Sequence, residues 1–286
     1  MGIAVDIAFQ ALAYASVLYL ISVGLSVTLG LMGFVNLAHG VFAMAGGYLA
    51  AVAIRSHGVH WGAMLILGPL VVAVLAAVME RLLYARLYAR TELDQVLFSI
   101  GLIFAAGALA RLLFGPLMLP MALPPALTQN IQIGNFGFYA YKVVVIGIGA
   151  LTAVGILLAL ERTRCGAMIR AAVENRGMAE SIGLRTSTIF TATFAFGGAL
   201  GALGGILGSD VFGLNPAYGF DVLVYMQIVV AVAGLGTLRG SFIAALMVGL
   251  VQTLSAYFVP AFGTIILYLG VFLLLLLRPR GLFGRV

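Results

Sequence analysis

Two polar side chains stand where the surrounding sequence offers them no water. Asn36 and His39 lie in the run Gly30-Leu31-Met32-Gly33-Phe34-Val35-Asn36-Leu37-Ala38-His39-Gly40, with apolar stretches on both sides. An unpartnered polar group in such surroundings costs roughly 2–7 kcal/mol, so their presence needs a reason. One reason is structural: Asn36 caps a helix starting near Leu37, and His39 bonds a carbonyl of a neighbouring helix. The other is contact with a solute. Metal chemistry is disfavoured, because no carboxylate lies near His39 and His57 and His60 fall near the opposite membrane face. A second polar cluster, Asp210, Asn215 and Asp221, occupies the break Gly208-Ser209-Asp210-Val211-Phe212-Gly213-Leu214-Asn215-Pro216-Ala217-Tyr218-Gly219-Phe220-Asp221. Two carboxylates suggest general acid–base chemistry, but Asp also favours turns and helix starts, where it is solvated. Gln227, inside the next apolar run, either lines a pathway or makes an interhelical hydrogen bond.

The elements that must hold these groups are membrane helices. The chain is 63% hydrophobic and 8% charged, with a mean hydropathy of +1.18, against about a quarter charged residues in soluble domains. Residues 1–286 read as one all-α polytopic transmembrane bundle of eight or nine spans, a single transmembrane domain. Candidate spans are 9–29, 31–54, 61–79, 96–113, 141–160, 189–207, 222–235, 242–258 and 265–277. The 37 glycines let helices approach closely or break where a cavity is lined, which favours a conduit over a simple anchor. Cys165 is the single cysteine, so no internal disulfide or thiolate metal cluster is expected. The first residues lack the basic region and cleavage site of a signal peptide, so the first apolar segment is expected to be retained.

Arginines set the expected orientation. Arg81, Arg86 and Arg90 share one loop; Arg162, Arg164, Arg170, Arg176 and Arg185 share another; Arg239 sits in a turn and Arg278, Arg280 and Arg285 in the tail. These belong in the cytoplasm, which with nine crossings puts the N-terminus outside, and the net charge of +6 then needs no nucleic acid. Residues 115–140, rich in proline and asparagine, read as an external extended or turn-rich loop able to cover an opening. Paired breaks in two halves of a chain point to a pathway at a repeat interface. One faint recurrence supports a repeat: Gly40-Val41-Phe42 with Ala45 returns two hundred residues on as Gly240-Ser241-Phe242 with Ala245.

The longest internal polar segment is Arg170-Ala171-Ala172-Val173-Glu174-Asn175-Arg176-Gly177-Met178-Ala179-Glu180-Ser181-Ile182-Gly183. Helix formers run to Asn175, Gly177 offers a left-handed cap, and a second short helix is expected from near Met178 to Gly183. A simple connection would be shorter. The pair either lies as an amphipathic element on the inner membrane face or docks a cytoplasmic partner.

At these residues the chain resembles the permeases of the branched-chain amino-acid ABC importer family over nearly its whole length. Asn36-Leu37-Ala38-His39-Gly40 resembles the family's Asn-Phe-Ala-His-Gly signature, and residues 166–183 resemble its ATPase-coupling loop. Leu214-Asn215-Pro216 through Gly219, the turn Gly234-Leu235-Gly236-Thr237-Leu238-Arg239-Gly240 and the ending Arg278-Pro279-Arg280-Gly281-Leu282-Phe283-Gly284 also resemble family motifs, in the family's order. The resemblance implies an inner-membrane importer subunit with four partners. They are a homologous second permease, two cytoplasmic ATP-binding subunits and a periplasmic solute-binding protein. It implies no cofactor of its own and no ATPase site, in keeping with the lack of a Gly-x-x-x-x-Gly-Lys-Ser/Thr motif. The pathway candidates are then Asn36, His39, Gly40, Asn215, Tyr225 and Gln227, and the coupling candidates Arg170, Ala172, Glu174, Asn175, Arg176, Gly177, Glu180 and Gly183. Val41 and Tyr225 depart from the family pattern, where an acid and a lysine are common. The expected substrates therefore extend from branched-chain amino acids to urea, amides and aromatic acids. A self-sufficient channel or secondary transporter is the competing class, using broken helices without a docking segment. An intramembrane enzyme would need convergent nucleophile, base or metal ligands within the spans, and none is evident.

Overall fold

The computed structural model describes residues 2–32, 36–88, 90–133, 136–234 and 236–284. Helix dominates: α1 (Gly2–Met32), α2 (His39–His57), α3 (Trp61–Leu82), α4 (Glu92–Phe114), α5 (Ala140–Arg162), α6 (Arg164–Glu174), α7 (Arg176–Ser181), α8 (Thr186–Phe212), α9 (Tyr218–Ala233), α10 (Leu238–Phe258) and α11 (Gly263–Leu277). Among the described residues seven segments, those carrying α1, α3, α4, α5, α8, α10 and α11, are long and apolar enough to cross a membrane. The other two expected spans fall outside that set. The run at 31–54 is interrupted and resumes as α2 at His39, and the run at 222–235 lies in the 16-residue α9.

α1 and α8 form the axis of the bundle. α1 is apolar on every side and mostly buried, as an all-round hydrophobic helix must be. α8 presents Gly197, Gly198, Gly201, Gly204, Gly205 and Gly208. Without Cβ atoms, these let backbones meet: a Cβ on Gly204 would lie 2.6 Å from the Ile21 nitrogen of α1, and one on Gly205 would lie 2.0 Å from the Ala43 oxygen of α2. The contacts Thr28–Gly197, Ile21–Gly204 and Val17–Gly208 run in opposite senses along the two chains, so α1 and α8 are antiparallel. Phe42–Gly198 and Ala43–Gly205 run in the same sense, so α2 is parallel to α8. A ring of large apolar side chains on α4, α5 and α11 faces outward, including Leu112, Leu151 and Leu277. In water such a belt would be an aggregation surface, whereas in hydrocarbon it is the solvated face.

The external loop contains a two-stranded antiparallel hairpin, β1 (Asn130–Ile133) with β2 (Phe136–Tyr139), in the register Asn130 to Tyr139. Phe138 packs on Phe9 of α1 at 4.7 Å between ring centroids, fastening the hairpin to the end of the bundle. At the other end, the tail returns under α9: the Leu282 and Phe283 amides donate to the Val232 and Ala233 carbonyls.

Candidate functional site

The break before α2 is built by one side chain. Asn36 Oδ1 accepts from the Ala38 amide at 3.0 Å and from the Tyr84 hydroxyl at 3.1 Å, and Asn36, Ala38 and Tyr84 are all fully buried. A side-chain oxygen thus satisfies an orphan donor at the helix start. The break before α9 repeats the device: Asn215 Oδ1 accepts from the Ala217 amide at 2.7 Å. The chain reads Asn-Leu-Ala-His-Gly at the first break and Asn-Pro-Ala-Tyr-Gly at the second. This is the recurrence the geometry carries, in place of the match of Gly40 to Gly240. Gly240 serves elsewhere, packing against Thr237 and Phe283 at the start of α10.

The two breaks meet in the middle of the bundle. Gly40 lies against Gly219 so closely that a Cβ on Gly40 would sit 2.0 Å from the Gly219 oxygen. The long helices preceding the breaks are antiparallel, so the two halves are related as an inverted repeat, with the N-terminal ends of α2 and α9 brought together. The aromatic residue of each motif then turns to α8. Tyr218 donates its hydroxyl to the Gly205 carbonyl at 2.9 Å. His39 is wedged beside Gly24, Gly197 and Gly201, edge-on to Phe42 at 5.5 Å. Its ring nitrogens close no well-aligned hydrogen bond, although the Gly197 backbone runs alongside. In this conformation Asn36, His39 and Gly40 line neither of the two cavities described below.

Tyr225 and Gln227 are half-buried on α9. The Tyr225 ring packs on Phe212 at 5.0 Å and, edge-on, on Tyr14 at 6.4 Å. Tyr14 in turn lines a cavity of about 560 Å³ at the end of the bundle that carries the hairpin. Asp6, Gln10, Tyr141, Lys142, Asp210 and Gln252 share its walls. The first apolar turns of α1 and α5 and the last turns of α8 and α10 assemble it, a convergence of four distant segments that the linear sequence does not announce. Asp210, read from the sequence as a loop residue, is in the last turn of α8.

At the opposite end α3, the turn at Tyr84–Arg86 and α8 enclose a carboxylate. Glu80, 3% exposed, accepts from the Tyr88 hydroxyl at 2.8 Å and the Thr191 hydroxyl at 2.7 Å. A glutamate beside Arg81 at the end of an apolar run resembles a solvated helix end in sequence. Only the fold reveals it as an internal tie between α3 and α8.

The helix pair α6–α7 lies at this same end. Thr163 caps α6 through the Gly166 amide, and a Cβ on Gly166 would meet the Leu160 oxygen at 2.1 Å, so α6 rests directly on the end of α5. The Arg170 guanidinium donates to the same Leu160 carbonyl. The break between the helices is made by Asn175, whose backbone swings to φ −151° and ψ 97° and whose side chain caps Met178 at 2.9 Å. The expected left-handed cap at Gly177 is therefore corrected: Gly177 is helical within α7, and the left-handed glycine is Gly183 at φ 89°. Ala172 is buried, and exposed Glu180 accepts from the Thr186 hydroxyl at the start of α8. The side chains of Glu174 and Arg176 lie outside the described residues. Met178 and Ile182 are 68% and 70% exposed. An almost wholly apolar cavity of about 410 Å³, lined by Leu160, Cys165, Ile169 and Phe196 among others, lies between α6 and the bundle. Among the described residues no three metal-ligating side chains converge.

Comparison with known proteins places these features in context. Residues 7–277 match the family described as branched-chain amino acid transport system / permease component. The chain is 25% identical to the high-affinity branched-chain amino acid transport system permease protein LivH of Escherichia coli K12, covering 97% of this chain and 94% of that protein. It is 26% identical to the permease protein BraD of Pseudomonas aeruginosa, over 96% and 94%. To the probable permease protein LivH of Methanocaldococcus jannaschii it is 24% identical, over 96% and 90%. No solved structure matches.

Proposed function

Because the chain belongs to the branched-chain amino acid transport permease family, we infer that it is the conduit subunit of an ABC importer driven by ATPases it does not itself contain. It is a multi-pass membrane permease; the proposal concerns its partners and its cargo. A periplasmic binding protein delivers a small polar or amphipathic solute to the hairpin end, and this subunit with a homologous second permease passes it inward. The substrate class runs from branched-chain amino acids to related urea, amide or aromatic-acid solutes. Two cytoplasmic ATP-binding subunits dock on α6–α7, and no cofactor is held by this chain. In this arrangement the N-terminus faces the periplasm and the C-terminus the cytoplasm of the inner membrane.

The single observation that carries this reading is the α6–α7 pair. It is seated on the end of α5 through Gly166 and Arg170 and linked to the start of α8 through Glu180, yet Met178 and Ile182 are largely exposed. An element fastened to two spans and carrying exposed apolar side chains suits a lever. Force applied there reaches α8, the helix on which both breaks rest. The pathway proposed for Asn36, His39, Gly40, Asn215, Tyr225 and Gln227 then opens when α2 and α9 part.

Charge reversal at both Glu174 and Arg176, assayed in the complete transporter reconstituted in proteoliposomes, is expected to uncouple ATP hydrolysis from uptake. Wild-type transport together with fully stimulated hydrolysis would refute the docking assignment. A channel or secondary transporter remains the alternative, and uptake by this chain without ATP or partners would favour it.

A further inference from the structure

We propose that the cavity at the hairpin end is a binding site for a small zwitterion, an α-amino acid with an apolar side chain, held before it reaches the helix breaks. This rests on the importer reading and narrows its substrate class. The cavity, about 560 Å³, falls within the size range of small-molecule sites. It brings together the chain's single lysine, Lys142, and the carboxylates of Asp6 and Asp210. Lys142 donates to Gln10 Oε1, and among the described residues it closes no ion pair with either carboxylate. Both signs of charge are therefore offered to an occupant, not spent on each other. Gln252 adds a buried Oε1 with no hydrogen-bond partner among the described residues, an acceptor that an ammonium would satisfy. The remaining wall is apolar, from Ile7, Val17 and Val145.

The combination selects among the solutes the family resemblance left open. A zwitterion places its carboxylate on Lys142 and its ammonium toward Asp6, Asp210 and Gln252, while its side chain covers the apolar wall. Urea gains neither ion pair. An aromatic acid carries an anion into a cavity with two carboxylates and no cation of its own to offset them. The floor leads onward: Val17 and the Tyr218 hydroxyl flank the same Gly208, and Tyr14 touches Tyr225. The site thus adjoins the second break.

The test places a reporter thiol in the wall, Val211→Cys in a Cys165→Ser background, in the complete transporter held in nanodiscs without ATP. Labelling by a membrane-impermeant maleimide is followed with L-leucine, 4-methylpentanoate, 3-methylbutylamine or urea present. Leucine is expected to slow labelling by the factor 1 + [L]/Kd, about fivefold at four times Kd. The other three should each slow it less than about twofold at the same concentration. Lys142→Met and Asp210→Asn should each remove the protection. Labelling indifferent to leucine, or slowed equally by urea or by either single-charge analogue, overturns the proposal. Should Val211→Cys fail to assemble, Thr253→Cys on the facing wall carries the same readout. A reporter complex whose ATPase still responds to its binding protein but shows no leucine protection rejects this site and leaves the importer standing. Absence of any such ATPase response rejects the importer reading, whatever the labelling shows.

Discussion

The two helix breaks share a sequence pattern and a turn closed by an asparagine oxygen on the amide two residues on, yet they sit in different surroundings. Asn36 and His39 at the first break are fully enclosed, whereas Asn215 at the second is half-buried next to exposed Ala217. The first is tied inward, to Tyr84 and to the glycine face of α8. The second adjoins the polar cavity through Val17 and Gly208. One repeat unit has become the dry fulcrum of the bundle, and its inverted copy borders the wet chamber. The difference teaches that conservation of a backbone motif within a chain does not carry its environment with it.

The largest test of that asymmetry is at the contact between the breaks. Gly40→Ala forces a Cβ to 2.0 Å from a backbone oxygen that no rotamer change can move, whereas a Cβ on Gly219 would lie 3.3 Å from the Gly40 oxygen. Gly40→Ala is expected to cost about 3 kcal/mol or more and to remove the folded peak in size-exclusion chromatography. Gly219→Ala should change the apparent melting temperature little, since the better helix propensity of alanine, up to about 1 kcal/mol, offsets the tight contact. Equal losses at the two positions would show that the breaks are equally packed.

Next in size is the pair of asparagines. Asn36→Ala removes the acceptor of the Ala38 amide in the turn ahead of α2 and leaves the buried Tyr84 hydroxyl without this acceptor, a cost of about 2–3 kcal/mol. Asn215→Ala removes an acceptor for the Ala217 amide within reach of water, about 1 kcal/mol. Thermal inactivation of the purified proteins should separate the two variants clearly, with Asn36→Ala the less stable. A reversed order would mean that the second break, not the first, is the fulcrum.

The buried carboxylate gives a third, chemically sharper comparison. Glu80→Gln keeps one acceptor oxygen for Tyr88 or Thr191, and Glu80→Leu keeps none. The leucine variant is expected to lose about 1–2 kcal/mol more than the glutamine variant. Uptake in the complete transporter should fall in the same order if the tie transmits motion from α3 to α8.

Much of this arrangement was legible from residue types. The apolar runs mark the helices and the glycines their close approach, whereas Asn36, expected to cap a helix near Leu37, instead folds the turn before α2 by accepting from the amide of Ala38, and α2 begins at His39 with no side-chain cap. The cap at Gly177 was misplaced because Asn175, two residues earlier, can both break a helix and start the next. The match of Gly40 to Gly240 carries little because glycine and alanine recur everywhere in this chain, whereas the informative match lies in the asparagine and the aromatic residue. The cavity and Glu80 were hidden for a different reason. Each depends on which helix ends converge, and charges near the ends of apolar runs look alike whether they face water, lipid or one another.

The last comparison pairs the aromatic members of the two motifs, the weaker effect first. Tyr218→Phe deletes a single hydroxyl whose acceptor, the Gly205 carbonyl, lies inside α8, where the helix supplies its own partner. The loss should be about 0.5–1.5 kcal/mol. His39→Ala empties a ring-sized volume between Gly24, Gly197 and Gly201, and none of these glycines has a side chain with which to collapse into it. Its cost is therefore expected to exceed that of Tyr218→Phe, at about 2–4 kcal/mol. Read by thermal inactivation alongside the asparagine variants, a His39→Ala protein as stable as Tyr218→Phe would break the distinction between fulcrum and chamber. It would indicate that water already reaches the first break, and that His39 belongs to the pathway as much as to the packing.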